Sequence, residues 1–284
     1  MKKQILILSC LFLLVSSTYS QRMRLNSEIG FTTGVTYFLG DLGGGTGEGQ
    51  AFLHDIDKEA IAPAISFLYR EEIVPLLAFR TNLTYTILRG DDANSENESR
   101  AIRNLSFKSN VWEATAMFEY SVFRFSGRDR KFFSPYVFAG AGLLYFNPKA
   151  EYNGYWIALQ PLGTEGQGMP QYPEREKYSR VQMVLPFGGG VRYLTNFGWV
   201  FGAEVTWRFT NTDYLDDVST TYPNTDYFFQ NYDLATATLA ANLSDRQNGG
   251  TTNGGGIRGN PEHKDMYFMG MLTATYHMIK NRNR

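Results

Sequence analysis

The residues able to do chemistry in this chain are few. None of the three histidines, His54, His263 and His277, stands in the His-Glu-x-x-His spacing of a zinc hydrolase. The only cysteine, Cys10, lies in an N-terminal apolar run, and no Gly-x-Ser-x-Gly turn presents a serine. The glycines after Gly40-Asp41-Leu42 lack the Lys-Ser or Lys-Thr pair that makes a glycine loop a phosphate cradle. Asp213, Asp216 and Asp217 are oxygen ligands of the type calcium takes. They lack the spacing and glycine of a calcium loop, so a solvated acidic turn is expected. No catalytic constellation, metal or cofactor follows from these residues.

The charged residues of the regular segments say more. In 199–209, Trp199, Phe201, Ala203, Val205, Trp207 and Phe209 alternate with Gly202, Glu204, Thr206 and Arg208. Successive strand residues point to opposite faces, so one face is aromatic and apolar and the other charged. Lipid outside and a polar interior give this contrast. The pattern recurs. Strand one, 27–39, sets Ile29, Phe31, Val35, Tyr37 and Leu39 against Glu28, Thr32 and Thr36. Strand two, about 61–70, faces Ile65, Phe67 and Tyr69 outward and Ala62, Ala64 and Ser66 inward. Strands three (76–88), four (111–122) and six (181–193) bring Arg80, then Glu113 and Glu119, then Arg192 to the polar side. Strands five (133–146) and eight (266–278) are too apolar for their faces to be assigned.

Eight strands of this length suit an antiparallel transmembrane β-barrel. The connections agree, because short ones (71–75, 124–131, 195–197) alternate with long ones (40–60, 89–110, 147–180, 210–265). Outer-membrane barrels place short turns and both termini in the periplasm and long loops outside. An eight-stranded barrel is narrow enough for side chains to fill. Glu28, Arg80, Glu113, Glu119, Arg192, Glu204 and Arg208 are therefore expected as a structural plug of ion pairs, with an ion path or proton relay as the alternative. Within the last long loop, 248–261 is a low-complexity flexible linker.

Residues 1–20 read as a cleaved secretory signal: Lys2 and Lys3, then an apolar run, then small polar residues before Gln21. Without it the 27 basic residues fall to 25 against 28 acidic, a net charge of −3, with no basic footprint for nucleic acid. Residues 21–284 are expected as a single outer-membrane barrel domain in contact with lipid.

Glu28-Ile29-Gly30 leading to Tyr37-Phe38-Leu39-Gly40-Asp41-Leu42 is similar to the opening of a Bacteroidota outer-membrane-barrel family. Leu215-Asp216-Asp217-Val218-Ser219, followed by Tyr222, resembles that family's signature after the seventh strand. The family includes PorG, a component of the type IX secretion system, which serves protein export and gliding. The resemblance implies a non-enzymatic barrel that holds the periplasmic ring of the lipoprotein PorK and PorN at the outer membrane. A surface scaffold or adhesin is the alternative. A lipid-modifying enzyme using His54 or His263 in the outer loops is a distant third. A secretion role directs attention to the basic turn with Arg128, Arg130 and Lys131, and to the basic tail 280–284, as contacts for a periplasmic partner.

Overall fold

The computed structural model describes residues 26–43, 60–95, 97–123, 125, 132–247 and 254–279. The signal segment, the basic turn with Arg128, Arg130 and Lys131, the basic tail and His54 lie outside these residues. Ten strands form one sheet: β1 (Asn26–Leu39), β2 (Ala62–Val74), β3 (Leu77–Asp91), β4 (Ser106–Ser121), β5 (Phe133–Tyr145), β6 (Pro148–Tyr152), β7 (Tyr155–Ala158), β8 (Val181–Leu194), β9 (Trp199–Thr210) and β10 (Met266–Ile279). Eight of them close a barrel. Each of β1 to β4 pairs antiparallel with the next, β5 passes to β8, and β8, β9 and β10 lead back to β1. The β6–β7 hairpin extends β4 beyond the barrel at its long-loop end through Lys108↔Lys149 and Ser109↔Pro148. Closure leaves the barrel strands without a free edge, so every strand backbone has a partner on both sides.

The alternation sets which side chains enter the barrel. Glu28, Thr32, Arg70, Arg80, Glu113, Glu119, Arg192, Glu204 and Arg208 are buried, whereas Phe31, Leu83, Trp112, Phe118, Phe187 and Phe201 are exposed on the outer wall. The two ambiguous strands resolve the same way. Tyr136, Phe138 and Leu144 of β5 and Tyr267, Met269 and Met271 of β10 point inward, while Val137, Leu143, Leu272 and Tyr276 point out. Both faces read as apolar because several of these inward residues, Leu144, Tyr267, Met269 and Met271, join an apolar core at the long-loop end of the lumen, with Phe38, Leu88, Val111 and Val184.

Three details depart from the sequence reading. β2 runs on to Val74, so its turn is Pro75-Leu76 alone, with Leu76 in the left-handed region at φ 71°. β3 and β4 continue to Asp91 and from Ser106, which shortens the loop expected over 89–110. The long connections also carry structure: the β6–β7 hairpin and the helices α1 (Glu98–Arg103), α2 (Asp226–Asn231) and α3 (Leu234–Ser244). Side chains start two of these helices, since Asn97 accepts from Ser99 and Arg100, and Asp233 from Ala235 and Thr236. The register Asn26↔Ile279 puts both ends of the described barrel at the short-turn end.

Candidate functional site

Two polar assemblies fill the molecule, one in the lumen and one closing its long-loop end. In the lumen four arginines meet four glutamates. Toward the short-turn end Arg70 donates to Glu119 at 2.8 Å and to Glu28 at 3.3 Å, and Arg192 lies 2.8 Å from Glu119. Midway, Arg80 grips Glu204 with both terminal nitrogens at 2.7 Å, while Tyr136 donates to the same carboxylate at 2.8 Å. Nearer the loops Arg208 holds Glu113 at 3.0 and 3.1 Å, and the Tyr267 hydroxyl donates to Glu113. The Arg80 guanidinium also lies 4.7 Å from the centre of the Phe138 ring. Each of these buried charges thus has an opposite charge within reach, the condition under which buried ions persist, although Arg192 Nε and Arg208 Nη1 have no hydrogen-bond partner.

All seven lumen residues singled out from the sequence enter this network. Sequence reading missed Arg70, whose place at the expected end of strand two hid its inward parity, and the phenols of Tyr136 and Tyr267. Without Arg70 the expected rows were one cation short. Glu204 and Arg208 share a face of β9 but do not pair. Four residues along a strand separate them by about 13 Å, so each reaches across the lumen instead.

The second assembly draws the four long connections into a lid. Leu215 and Val218 are fully buried in the apolar core at the barrel mouth, so the segment Leu215-Asp216-Asp217-Val218-Ser219 works as a stopper. The expectation of a solvated acidic turn is wrong. Asp213 is 3% exposed and Asp216 and Asp217 are 0%, because the flanking Leu215 and Val218 carry them inward. Asp216 accepts from the Leu42 and Val218 amides, at 3.2 and 2.9 Å. Asp217, at φ 68°, accepts from Tyr178 at 2.6 Å and from Thr164. Asp265 accepts from the Leu215 amide at 2.8 Å.

Gly40 is tightly enclosed at this point. A Cβ there would collide with Asp265 Oδ1 and with the Phe38 ring. Its neighbour Asp41 accepts from the Asn260 amide at 2.7 Å. Three residues that sequence reading missed join the loops. Glu165 accepts from the Ser219 and Thr220 amides and from Arg258. Arg103 binds Asp92 and the carbonyls of Asp41 and Arg258. Arg258 itself is 2% exposed, so the part of the supposed flexible linker around 257–259 is built into the lid. No pattern in the sequence marks Glu165, Arg103 or Arg258, since each acts through contacts distant along the chain.

Electrostatically the lid is over-supplied with carboxylates. Burial, opposed by Ser219, and the nearby Asp41 raise Asp213 to about 7, with both of its oxygens lacking a formed hydrogen bond. Burial raises Asp217 to about 6 against the pull of Arg258. Burial and the neighbouring aspartates push Asp216 and Asp265 well above the usual carboxylate range. Among the described residues no three His, Cys, Asp or Glu side chains gather as a metal-holding group. His263 is exposed beside Asn260 in the lid, whereas His277 lies at the opposite end, 3.5 Å from Glu28, so these two do not converge.

Comparison with solved structures gives loose superpositions. The attachment invasion locus protein Ail of Yersinia pestis, in complex with the heparin analogue sucrose octasulfate, aligns with a TM-score of 0.40 and 12% identity, over 90% of this chain and 100% of that one. A major outer membrane protein from Thermus thermophilus gives 0.40 and 8% over 90% and 100%. Neisserial surface protein A gives 0.38 and 9% over 89% and 96%. No curated protein matches. Residues 3–236 match the family described as a domain of unknown function, DUF6089. The chain belongs to the DUF6089 family.

Proposed function

We propose that this protein is a non-enzymatic outer-membrane anchor, a component of the type IX secretion machinery that contacts a periplasmic ring of the PorK and PorN kind. The observation that carries the reading is a filled barrel: among the described residues ion pairs occupy its lumen and Leu215 and Val218 pack into its mouth. A barrel so filled acts through its surfaces. Its outer wall carries Phe31, Leu83, Phe118, Leu143, Phe187 and Leu272, a band suited to lipid. Membrane placement predicts a β-rich circular dichroism spectrum and a gel mobility that shifts on heating. Recovery from the periplasm without detergent would count against it.

The anchoring role puts the partner contact at the short-turn end, where the basic turn and tail supply the charge. Such contacts are steered by charge and weakened by salt, since exposed charges are screened over about 8 Å at physiological ionic strength. Changing Arg128, Arg130 and Lys131 to glutamate should abolish co-purification with the ring while the barrel still assembles. Deleting 248–253 from the long-loop side should leave the complex intact. The opposite pair of results places the partner outside and overturns the anchoring role. A second reading, a surface scaffold or adhesin, draws on the exposed Tyr155, Trp156, Phe229 and Leu234 of the long-loop lobe.

A further inference from the structure

Where the sheet leaves the apolar band at the long-loop end, three cations stand side by side on its outer face. Arg89 of β3 is the register partner of Lys108 of β4, and Lys108 is the register partner of Lys149 of β6. Neighbouring strands lie about 4.8 Å apart, so the row spans about 10 Å. Like charges directly opposite one another in a sheet oppose its pairing. Within the chain, Arg89 donates to the Ile61 carbonyl and Arg180 to Asn147 at 3.3 Å, both neutral partners that leave the positive charge of the row unbalanced. Among the described residues no carboxylate stands within ion-pair distance of these three or of Arg180, whose guanidinium lies 5.7 Å from the Tyr145 ring centre. Glu151, on the same face of β6, sits two residues on, opposite Trp156.

The row has a definite level. Four residues closer to the barrel middle on β3 and β4 lies the aromatic row Tyr85–Trp112–Tyr145, with rings of Tyr85 and Trp112 centred 4.9 Å apart. Beyond it, toward the barrel middle, come Leu83 and Leu143, both exposed. Aromatic girdles mark the edge of the hydrocarbon. Four strand residues at the usual barrel tilt carry the cations about 10 Å outward, into the head-group layer. Lys108 reaches over the Trp156 ring at 5.2 Å, and Tyr155 and Trp156 are exposed beside it.

We propose that Arg89, Lys108, Lys149 and Arg180 bind the phosphates of outer-leaflet lipid, with bisphosphorylated glycolipid head groups as the ligand class. The proposal rests on the membrane placement given above, with the long loops facing outward. Lipid is the source, rather than soluble phosphate, because the cations continue the wall of the apolar band. A ligand held there has its acyl chains against Leu83, Leu143 and the aromatic row. Two adjacent lysines suit two phosphates, and the guanidiniums add directional donors.

The test uses the full-length protein in detergent, with diphosphoryl lipid A and phosphatidylcholine as probes and native mass spectrometry as the readout. Lipid A should be retained and phosphatidylcholine lost. A polybasic contact is worth about 1 kcal/mol per cation, so Lys108→Gln/Lys149→Gln should weaken lipid A retention about thirty-fold. Lys177→Gln/Lys264→Gln, which removes the same charge from exposed loop positions, should leave it unchanged. Equal retention of the two lipids overturns the site, and so does full retention by the Lys108/Lys149 variant. Displacement of lipid A by inorganic phosphate at equal phosphate concentration assigns the row to a free anion and overturns the lipid. Insertion into pure phosphatidylcholine vesicles is measured separately. If that fails, the membrane placement itself falls, whereas insertion without lipid A preference removes only this proposal.

Discussion

Glu204→Ala should destabilise the barrel by about 3–5 kcal/mol, the usual cost of removing one partner from a buried ion pair. The size of the effect comes from what remains. Arg80 is 1% exposed and places two nitrogens 2.7 Å from Glu204. Its other ionic contact, Glu119, is 3.7 Å away and already engaged by Arg70 and Arg192. The Tyr136 hydroxyl loses its acceptor as well. A guanidinium left with only Asn82, to which its Nε donates at 2.9 Å, and the distant Glu119 would thus face an orphaned phenol in the lumen. The urea midpoint of the detergent-solubilised barrel should fall, with surface properties changed only through protein level. The double variant Arg80→Met/Glu204→Leu removes both charges and should recover much of the loss. An unchanged midpoint for Glu204→Ala would refute the network as the source of stability.

That network was half legible in the sequence. Strand parity put Glu204 and Arg80 inside, because period-two alternation is a local property that a single segment displays. It could not pair them, because Arg80 and Glu204 are 124 residues apart and meet only when the sheet closes. Arg70 was missed as the last residue of the expected strand two, although its parity with Ala62, Ala64 and Ser66 pointed inward. The long connections were the least legible part. Their glycines, aspartates and asparagines read as solvated loops, yet Glu165, Arg258 and Asp216 are more deeply buried than many strand residues. Composition reports average surroundings. It does not reveal that Leu215 and Val218 draw two aspartates into the mouth of a barrel. The motif Gly40-Asp41 was conspicuous for the same hidden reason: Gly40 leaves room for the Asp265 carboxylate.

The buried aspartates predict a lid that loosens as pH rises while the barrel beneath it holds. In opened loops these groups titrate near the ordinary aspartate value of about 3.9. In the closed lid Asp217 is raised to about 6 and Asp213 to about 7, chiefly by burial, with Asp216 and Asp265 raised as well. The closed state therefore binds protons that the open state has released. Its stability is fully present below about pH 4 and is lost as pH rises through the raised values. The charges facing these carboxyls include Arg258, Arg103 and Lys264, which limit the loss, and Asp41 and Glu165, which add to it. Between pH 5 and 8 Asp213 and Asp217 alone should cost the lid on the order of 4 kcal/mol of closing free energy. Hydrogen exchange, corrected for the intrinsic pH dependence, reads this at the amides of Leu42, Leu215, Val218 and Ser219, which all bond to lid carboxylates. Their protection should fall across that range, while amides of the β3–β4 ladder stay protected. Asp213→Asn keeps the shape and removes one titration, so it should flatten the slope and protect the lid at pH 8. Protection that holds level or rises with pH would mean that the carboxylates are neutralised by something other than protons.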